Sequence, residues 1–300
     1  MPRISTRTIL QAHHHHPLLP LLLKECRSLE LAGNELRWLR ERALHVTEAR
    51  LANRIAGGKC PVSGWRGLLR SMCLTRSRGV PLQYILGDQP FGDLDIKCAR
   101  GVLIPRHETE AITFHAAKVL LGMWKHHYLC REERTVLRII DLCTGTGCIP
   151  LLLHALLSPH FSQLSIAGID ISAAAVRLAK ENTARNVRLR NLSDRALSEI
   201  HFRQGDILNL GRNILSSLQD KLGNVHNTAS PRELECDVLI SNPPYISPKE
   251  YRDGTTSRSV RKFEPKLALV PPGNTVWSAG KKTPREDLFY LHIIALIPCI

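Results

Sequence analysis

The chain has 300 residues, 43% of them hydrophobic, and carries 41 Lys plus Arg against 27 Asp plus Glu, a formal charge of +14. That length and apolar content exclude a disordered chain and allow one large domain plus a smaller one, while the charge points either to an anionic partner or compartment or to a generally basic protein. No membrane partner is expected, because the most hydrophobic stretch, Leu137 to Leu157, is interrupted by Arg138, Asp141 and two glycines.

The first 24 residues hold Arg3, Arg7 and Lys24 with no acid before Glu25. Residues 1–20 therefore read either as an organellar transit segment or as an untargeted, frayed terminus. A secretory signal fits less well, since Pro20 breaks the run Leu18 to Leu23 and no small-residue cleavage site follows. His13 to His16 read as a metal-binding tract or as an incidental part of a tail, and no metal site is assigned to them. Nine cysteines without a CxxC pair read as buried thiols of a reducing compartment.

From Leu21 to about Gly79 the apolar residues Leu29, Leu31, Leu36, Leu39, Ala43 and Val46 recur at three- and four-residue steps. The spacing predicts a small helical domain over 21–80, broken into shorter helices at Gly57-Gly58 and at 61–64. Residues 81–105 read as a β-hairpin linker with arms at Phe91 to Ile96 and Val102 to Ile104. A helix follows from about Thr109 to His126. Arg106, Glu108 and Glu110 at its start are solvated charges and dipole partners, or functional groups; residue type alone leaves both open.

Residues 106–300 read as an α/β, doubly wound domain. Val136 to Ile140 is a strand, Asp141 to Gly147 a tight turn and Cys148 to Leu157 a helix. Gly145 and Gly147 let the backbone approach a ligand where a helix N-terminus offers unpaired N–H groups. Pro150 occupies the place of the third glycine of a dinucleotide fingerprint, which disfavours a nicotinamide cofactor. Ser165 to Ser172 is a second strand whose terminal Asp170 would accept ribose hydroxyls or cap the next helix. Ile200 to Arg203 is a third strand, after which Asp206 and Ile207 would border an adenine, or Asp206 would serve a turn. Residues 208–235 read as a surface insertion.

Cys236 to Ser241 is a fourth strand that stops at Asn242-Pro243-Pro244-Tyr245. Two prolines fix φ and push the preceding residue into an extended conformation, so the Asn242 amide is held rigidly at a strand's carboxyl end, where open α/β sheets bind ligands. A proline-rich turn is the plainer reading. Lys249 to Lys262 reads as a basic loop and Pro284 to Ile297 as a closing helix, with the last edge strands of such a sheet missing.

Asn-Pro-Pro-Tyr resembles the target-nitrogen motif of S-adenosylmethionine-dependent methyltransferases that modify amide or exocyclic amino groups. Together with Pro81 to Gly87, Leu103 to Glu110, Asp141 to Ile149 and Phe263-Glu264-Pro265, it makes an ordered set that resembles the release-factor glutamine methyltransferases, the HemK or PrmC family, in a mitochondrial-type form. The resemblance implies a Rossmann-like domain that transfers a methyl group from S-adenosylmethionine to the glutamine amide in the Gly-Gly-Gln loop of a peptide-chain release factor. It implies that Asp141, Thr144, Gly145 and Gly147 line the methionine end of the cofactor, with Asp170 at the ribose, Asp206 and Ile207 at the adenine and Asn242 between cofactor and substrate. Asn242, Pro243, Pro244 and Tyr245 would receive the glutamine. Ribosome or RNA proximity through the basic surface, and a mitochondrial location, belong to the same expectation. Cys143 in place of the family's usual glycine, Pro271-Pro272-Gly273 in place of an acidic-glycine turn, and the absent last strand pair depart from the pattern. The rivals are an adenine-N6 methyltransferase acting on nucleic acid and a non-catalytic fragment.

Overall fold

The computed structural model describes residues 3–55, 64–128, 136–209, 236–273 and 284–297. The expected insertion at 208–235 and the expected helix breaks at Gly57-Gly58 and 61–63 lie almost wholly outside the described residues. The chain divides into two compact units, Met1–Gly87 with Arg258–Phe263, and Asp88–Ser257 with Glu264–Ile300.

The first unit is helical: α1 Thr6–His15, α2 Leu19–Cys26, α3 Leu29–Ile55, α4 Trp65–Ser77 and the short α5 Leu82–Leu86. Ser5 caps α1 by accepting from the Thr8 amide at 3.1 Å. Ala12, Leu19, Leu22 and Leu23 are buried in one core with Ala32, Leu39, Ala43, Leu69 and Cys73. Residues 6–20 therefore pack into the helical core instead of fraying; the polar histidines ride on a helix anchored by Ala12. Arg76 and Glu35, each only 12% exposed, form a two-pronged ion pair at 2.8 and 2.9 Å that ties α4 to α3.

The second unit opens with a hairpin, β1 Asp88–Phe91 and β2 Leu94–Lys97. Both arms lie closer to the N-terminus than expected, because Gly92, at φ +57, turns the chain inside the stretch read as one arm, and residues 102–104 form no strand. The hairpin is part of this unit rather than a linker. Asn182 and Asn186, fully buried on α8 (Ala173–Arg188), hydrogen-bond the backbone of Lys97 and Asp95 along β2 in both directions, the N–H groups donating at 2.8 and 2.9 Å.

Next come α6 His107–Tyr128, β3 Val136–Leu142, α7 Cys148–Leu157, β4 Gln163–Asp170, α8, α9 Ala196–Glu199, β5 Ile200–Gln204 and β6 Val238–Ser241. Among the described residues the parallel sheet has the order β5-β4-β3-β6. The chain builds outward from β3 through β4 to β5, then returns to the other side of β3, and this reversal opens a crevice at the carboxyl ends. Period-two alternation divides the sheet between two cores: Ile139, Leu164, Ile166 and Phe202 pack with α7 and α8, while Ile140, Leu142, Ala167 and Ile169 pack with Phe289 of the helix Leu288–Leu296. The domain is thus α/β and doubly wound.

The segment expected as a basic loop instead forms α10 Pro248–Asp253 and α11 Arg258–Phe263. Ser247, Pro248 and Glu250 make a capping box with proline in the first turn, and Gly254, at φ +101, ends the helix. The closing helix is α12, Leu288–Leu296.

Candidate active site

Parallel register sets the site. Leu142 at the end of β3 pairs with Ile169 on one side and Ser241 on the other, so Cys143, Asp170 and Asn242 leave the sheet side by side. The Ser241 hydroxyl donates to the Leu142 carbonyl at 2.8 Å and holds the β6 end against β3.

The turn after β3 is built from left-handed residues: Cys143 at φ +61, Gly145 at +56 and Gly147 at +78. A Cβ added at Gly145 would meet no atom within 4 Å, so this glycine is required by backbone conformation and leaves open room for a ligand. The Gly145 amide donates to Asp170 Oδ2 at 2.9 Å, and the Ser172 amide to Oδ1 at 2.8 Å. Ser172, rather than Asp170, caps α8, accepting from the Ala175 amide. Burial raises the Asp170 pKa, and these two amide donors oppose the shift. Its remaining lone pairs face the crevice as acceptors.

Two residues assigned to the cofactor lie elsewhere. Asp141 sits inside the central strand, paired with Gly168 and Ile240, and is fully buried without lining the crevice. Neither carboxyl oxygen has a hydrogen-bond partner among the described residues, and burial pushes its pKa to about 8, with the Asp170 charge adding to the rise. The Thr144 hydroxyl is near enough to oppose this shift but not in good hydrogen-bond geometry. Gly147 also faces away from the crevice: a Cβ there would lie 2.9 Å from Ala179 Cβ and 2.9 Å from Phe202 Cζ. Its role is close approach of turn, helix and strand.

On the other side, Asn242 Nδ2 donates to Thr109 Oγ1 at 3.1 Å, and the Ile246 amide donates to the Leu269 carbonyl at 2.9 Å. Glu264, with a side chain 1% exposed, accepts from the Ile104 amide at 3.2 Å and from Arg106 at 2.8 Å. Arg106 is therefore paired rather than merely solvated.

These segments enclose a cavity of about 380 Å³, within the range of small-molecule sites. Thr144, Gly145, Asp170, Asp206, Ile207, Asn242 and Pro244 of the expected residues line it. Pro243 is buried behind them and Tyr245, 54% exposed, stands outside the lining. Arg106 and Thr109 from the stretch Leu103 to Glu110 line it too, as do residues 101–105 and Phe289, the last of which carries no motif. Asp206 also closes its own turn, accepting from the Leu208 amide at 3.0 Å.

A model of the family described as a methyltransferase domain matches residues 134–227. The chain is 37% identical over 90% of its length to the mitochondrial MRF1 N(5)-glutamine methyltransferase MTQ1 of Saccharomyces cerevisiae, covering 68% of that protein. It is 34% identical over 90% of its length to a probable MRF1 mitochondrial N(5)-glutamine methyltransferase of Schizosaccharomyces pombe, covering 73% of it. The chain belongs to the N(5)-glutamine methyltransferase family. A release factor glutamine methyltransferase of Pasteurella multocida is 33% identical over 67% of the chain and is covered over 57% of its own length. As a member of this family the chain is an S-adenosylmethionine-dependent methyltransferase. The cavity suits that donor: an open glycine turn, a carboxylate with free lone pairs, and apolar walls at Ile207 and Phe289 for a flat ring. Among the described residues no helix is long and apolar enough to cross a membrane.

Proposed function

We propose that this glutamine methyltransferase modifies the side-chain amide nitrogen of the glutamine in the Gly-Gly-Gln loop of a mitochondrial peptide-chain release factor. The observation that carries the reading is the Asn242 amide, held rigidly at the carboxyl end of β6 in the same cavity as Gly145 and Asp170. Asp170 would hold the ribose of S-adenosylmethionine, Ile207 and Phe289 would flank its adenine, and Thr144 and Gly145 would border its methionine end. When bound, this cofactor supplies an electrophilic sulfonium methyl group.

An amide nitrogen is a weak nucleophile because its lone pair is delocalised into the carbonyl. The chain's part is therefore to orient it. Asn242 Oδ1 and the Pro243 carbonyl accept the two N–H bonds, and neither competes as a nucleophile. Such alignment supplies up to about 7 to 11 kcal/mol in favourable cases. Pro243 and Pro244 keep the acceptors from drifting. Tyr245, exposed at the end of the motif, offers its ring for stacking on the flat amide. No side chain need remove the proton first, because the methylated amide is acidic enough to release it to water.

The similarity to proteins named as mitochondrial supports a mitochondrial location, as does an acid-free stretch before Glu25 carrying Arg3, Arg7 and Lys24. The charge of +14 supports work close to the ribosome or its RNA. The deciding assay is transfer of labelled methyl to a recombinant release factor, with a variant lacking the loop glutamine as control. Asn242→Ala is expected to abolish transfer while titration still shows S-adenosylmethionine binding. Label in nucleic acid instead of the release factor would overturn the substrate, and no thermal shift with S-adenosylmethionine would overturn the cofactor site.

A further inference from the structure

We propose that the outer edge of β5 is a docking site for an extended, acidic segment of a partner protein, which joins the parallel sheet as one further strand and is held between Lys180 and Arg203. Among the described residues β5 has a neighbour on one side only, β4. The Gly205 amide donates to the Asp170 carbonyl at 3.0 Å, and in a parallel ladder alternate residues turn to the same neighbour. Arg203 therefore turns its main chain to β4, while Ile200, Phe202 and Gln204 turn theirs away. The Ile200 amide donates to the Ala196 carbonyl of α9. What is left outward is the Ile200 carbonyl, the Phe202 N–H and carbonyl, and the Gln204 N–H. The edge of β2, met by Asn182 and Asn186, has no such open run.

This edge is the floor of a second concavity, of about 450 Å³, lined also by Lys180 and Thr183 of α8 and Leu197 of α9. The Ile200 and Phe202 side chains are buried, so both residues present backbone to it. Phe202 packs on the α8 side of the sheet, which by alternation puts Arg203 on the opposite face from Lys180. Neither cation has an ion pair or hydrogen bond among the described residues, and the acid beside Lys180, Glu181, is paired with Lys97 at 2.6 Å. The backbone pattern selects the kind of occupant. An extended chain answers each carbonyl with an N–H and each N–H with a carbonyl, whereas a phosphodiester backbone is mostly acceptors and leaves the carbonyls unanswered. The charge selects its side chains. A second copy of β5 would bring its own Arg203 to the same margin, positive against positive. Acids at adjacent positions of an added strand meet Lys180 on one face and Arg203 on the other.

The probe is the fluorescent peptide Val-Glu-Glu-Val-Glu-Glu-Val, titrated against the full chain by anisotropy. It should bind about tenfold more tightly than the same peptide with lysine in place of glutamate, and about tenfold more tightly than its backbone N-methylated form, which keeps the charge and loses the donors. Lys180→Glu combined with Arg203→Glu should reverse the preference toward the lysine peptide, with the thermal shift by S-adenosylmethionine unchanged. Lys180→Gln with Arg203→Gln, expected to weaken the acidic peptide about threefold, stands in if charge reversal prevents folding. No binding of the acidic peptide, equal binding of the lysine peptide, or equal binding of the N-methylated peptide overturns the proposal. An oligouridylate that binds the parent and not the charge-reversed variant, where the acidic peptide fails to bind, would make the edge a nucleic-acid contact and also overturn it.

Discussion

The two sides of the cavity are held by different means. The side formed by Cys143, Gly145, Asp170 and Ser172 is shaped by backbone: left-handed residues in one short turn, and two amides, 25 and 2 positions away, folded onto one carboxylate. The side formed by Asn242, Thr109, Ile104, Arg106 and Glu264 is shaped by side chains that reach across 133 to 160 positions. The first should persist whenever the turn forms. The second exists only when the whole domain has closed, so it is where substitutions distant in sequence should act on the reaction.

The strongest way to break this contrast is at Glu264. Glu264→Ala leaves the Ile104 amide and the Arg106 guanidinium without their shared acceptor, and should cost about 3 kcal/mol, at the low end for a buried pair because Arg106 is partly exposed. Chemical denaturation should show that loss, and methyl transfer should fall further than S-adenosylmethionine binding. Equal losses of both would show that the two sides are not independently built.

The backbone-shaped side carries a pH dependence instead. Asp141 holds its proton up to about pH 8 when folded, against 3.8 ordinarily, so the folded state binds more protons across that interval. Its contribution is whole below pH 4 and is lost as pH rises toward 8, which amounts to about 2 kcal/mol between pH 6 and 8 in the cofactor-free protein. Asp141→Asn should flatten the melting temperature over that range; an unchanged slope would place the titration on another group.

Smaller effects sharpen the picture. Gly147→Ala forces a Cβ against Ala179 and Phe202 in a left-handed conformation and should cost about 1–2 kcal/mol, seen as a lower denaturation midpoint. Cys143→Gly acts in the opposite direction. Relief of the left-handed strain at φ +61 outweighs the added freedom of the unfolded chain, for a gain of about 0.5–1 kcal/mol in thermal stability.

What could be read in the sequence follows the same division. The strand-turn-helix at 136–157, the acid ending β4 and the Asn-Pro-Pro-Tyr kink are local, and each announces itself by spacing and by Gly or Pro. Asp141 and Gly147 misled because a turn motif does not say which of its residues point inward: register buries Asp141 between two strands, and Phe202 from β5 claims the space at Gly147. Thr109 and Glu264 stand in stretches with a recognisable pattern, but the bonds they make were not legible there, since their partners come from other segments, and Phe289 gave no local signal at all. The short helix at 248–253 did carry one in Ser247, Pro248 and Glu250, obscured by the surrounding positive charge.

The two buried asparagines of α8 have a further consequence. By answering the outward amides and carbonyls of β2 with their own carboxamides, Asn182 and Asn186 occupy the places that another molecule's strand would take. Asn182 also donates to the Thr146 carbonyl in the turn that precedes α7. One residue therefore covers an open strand margin and braces the turn that lines the cavity, so the hairpin edge and the cavity wall share a single anchor.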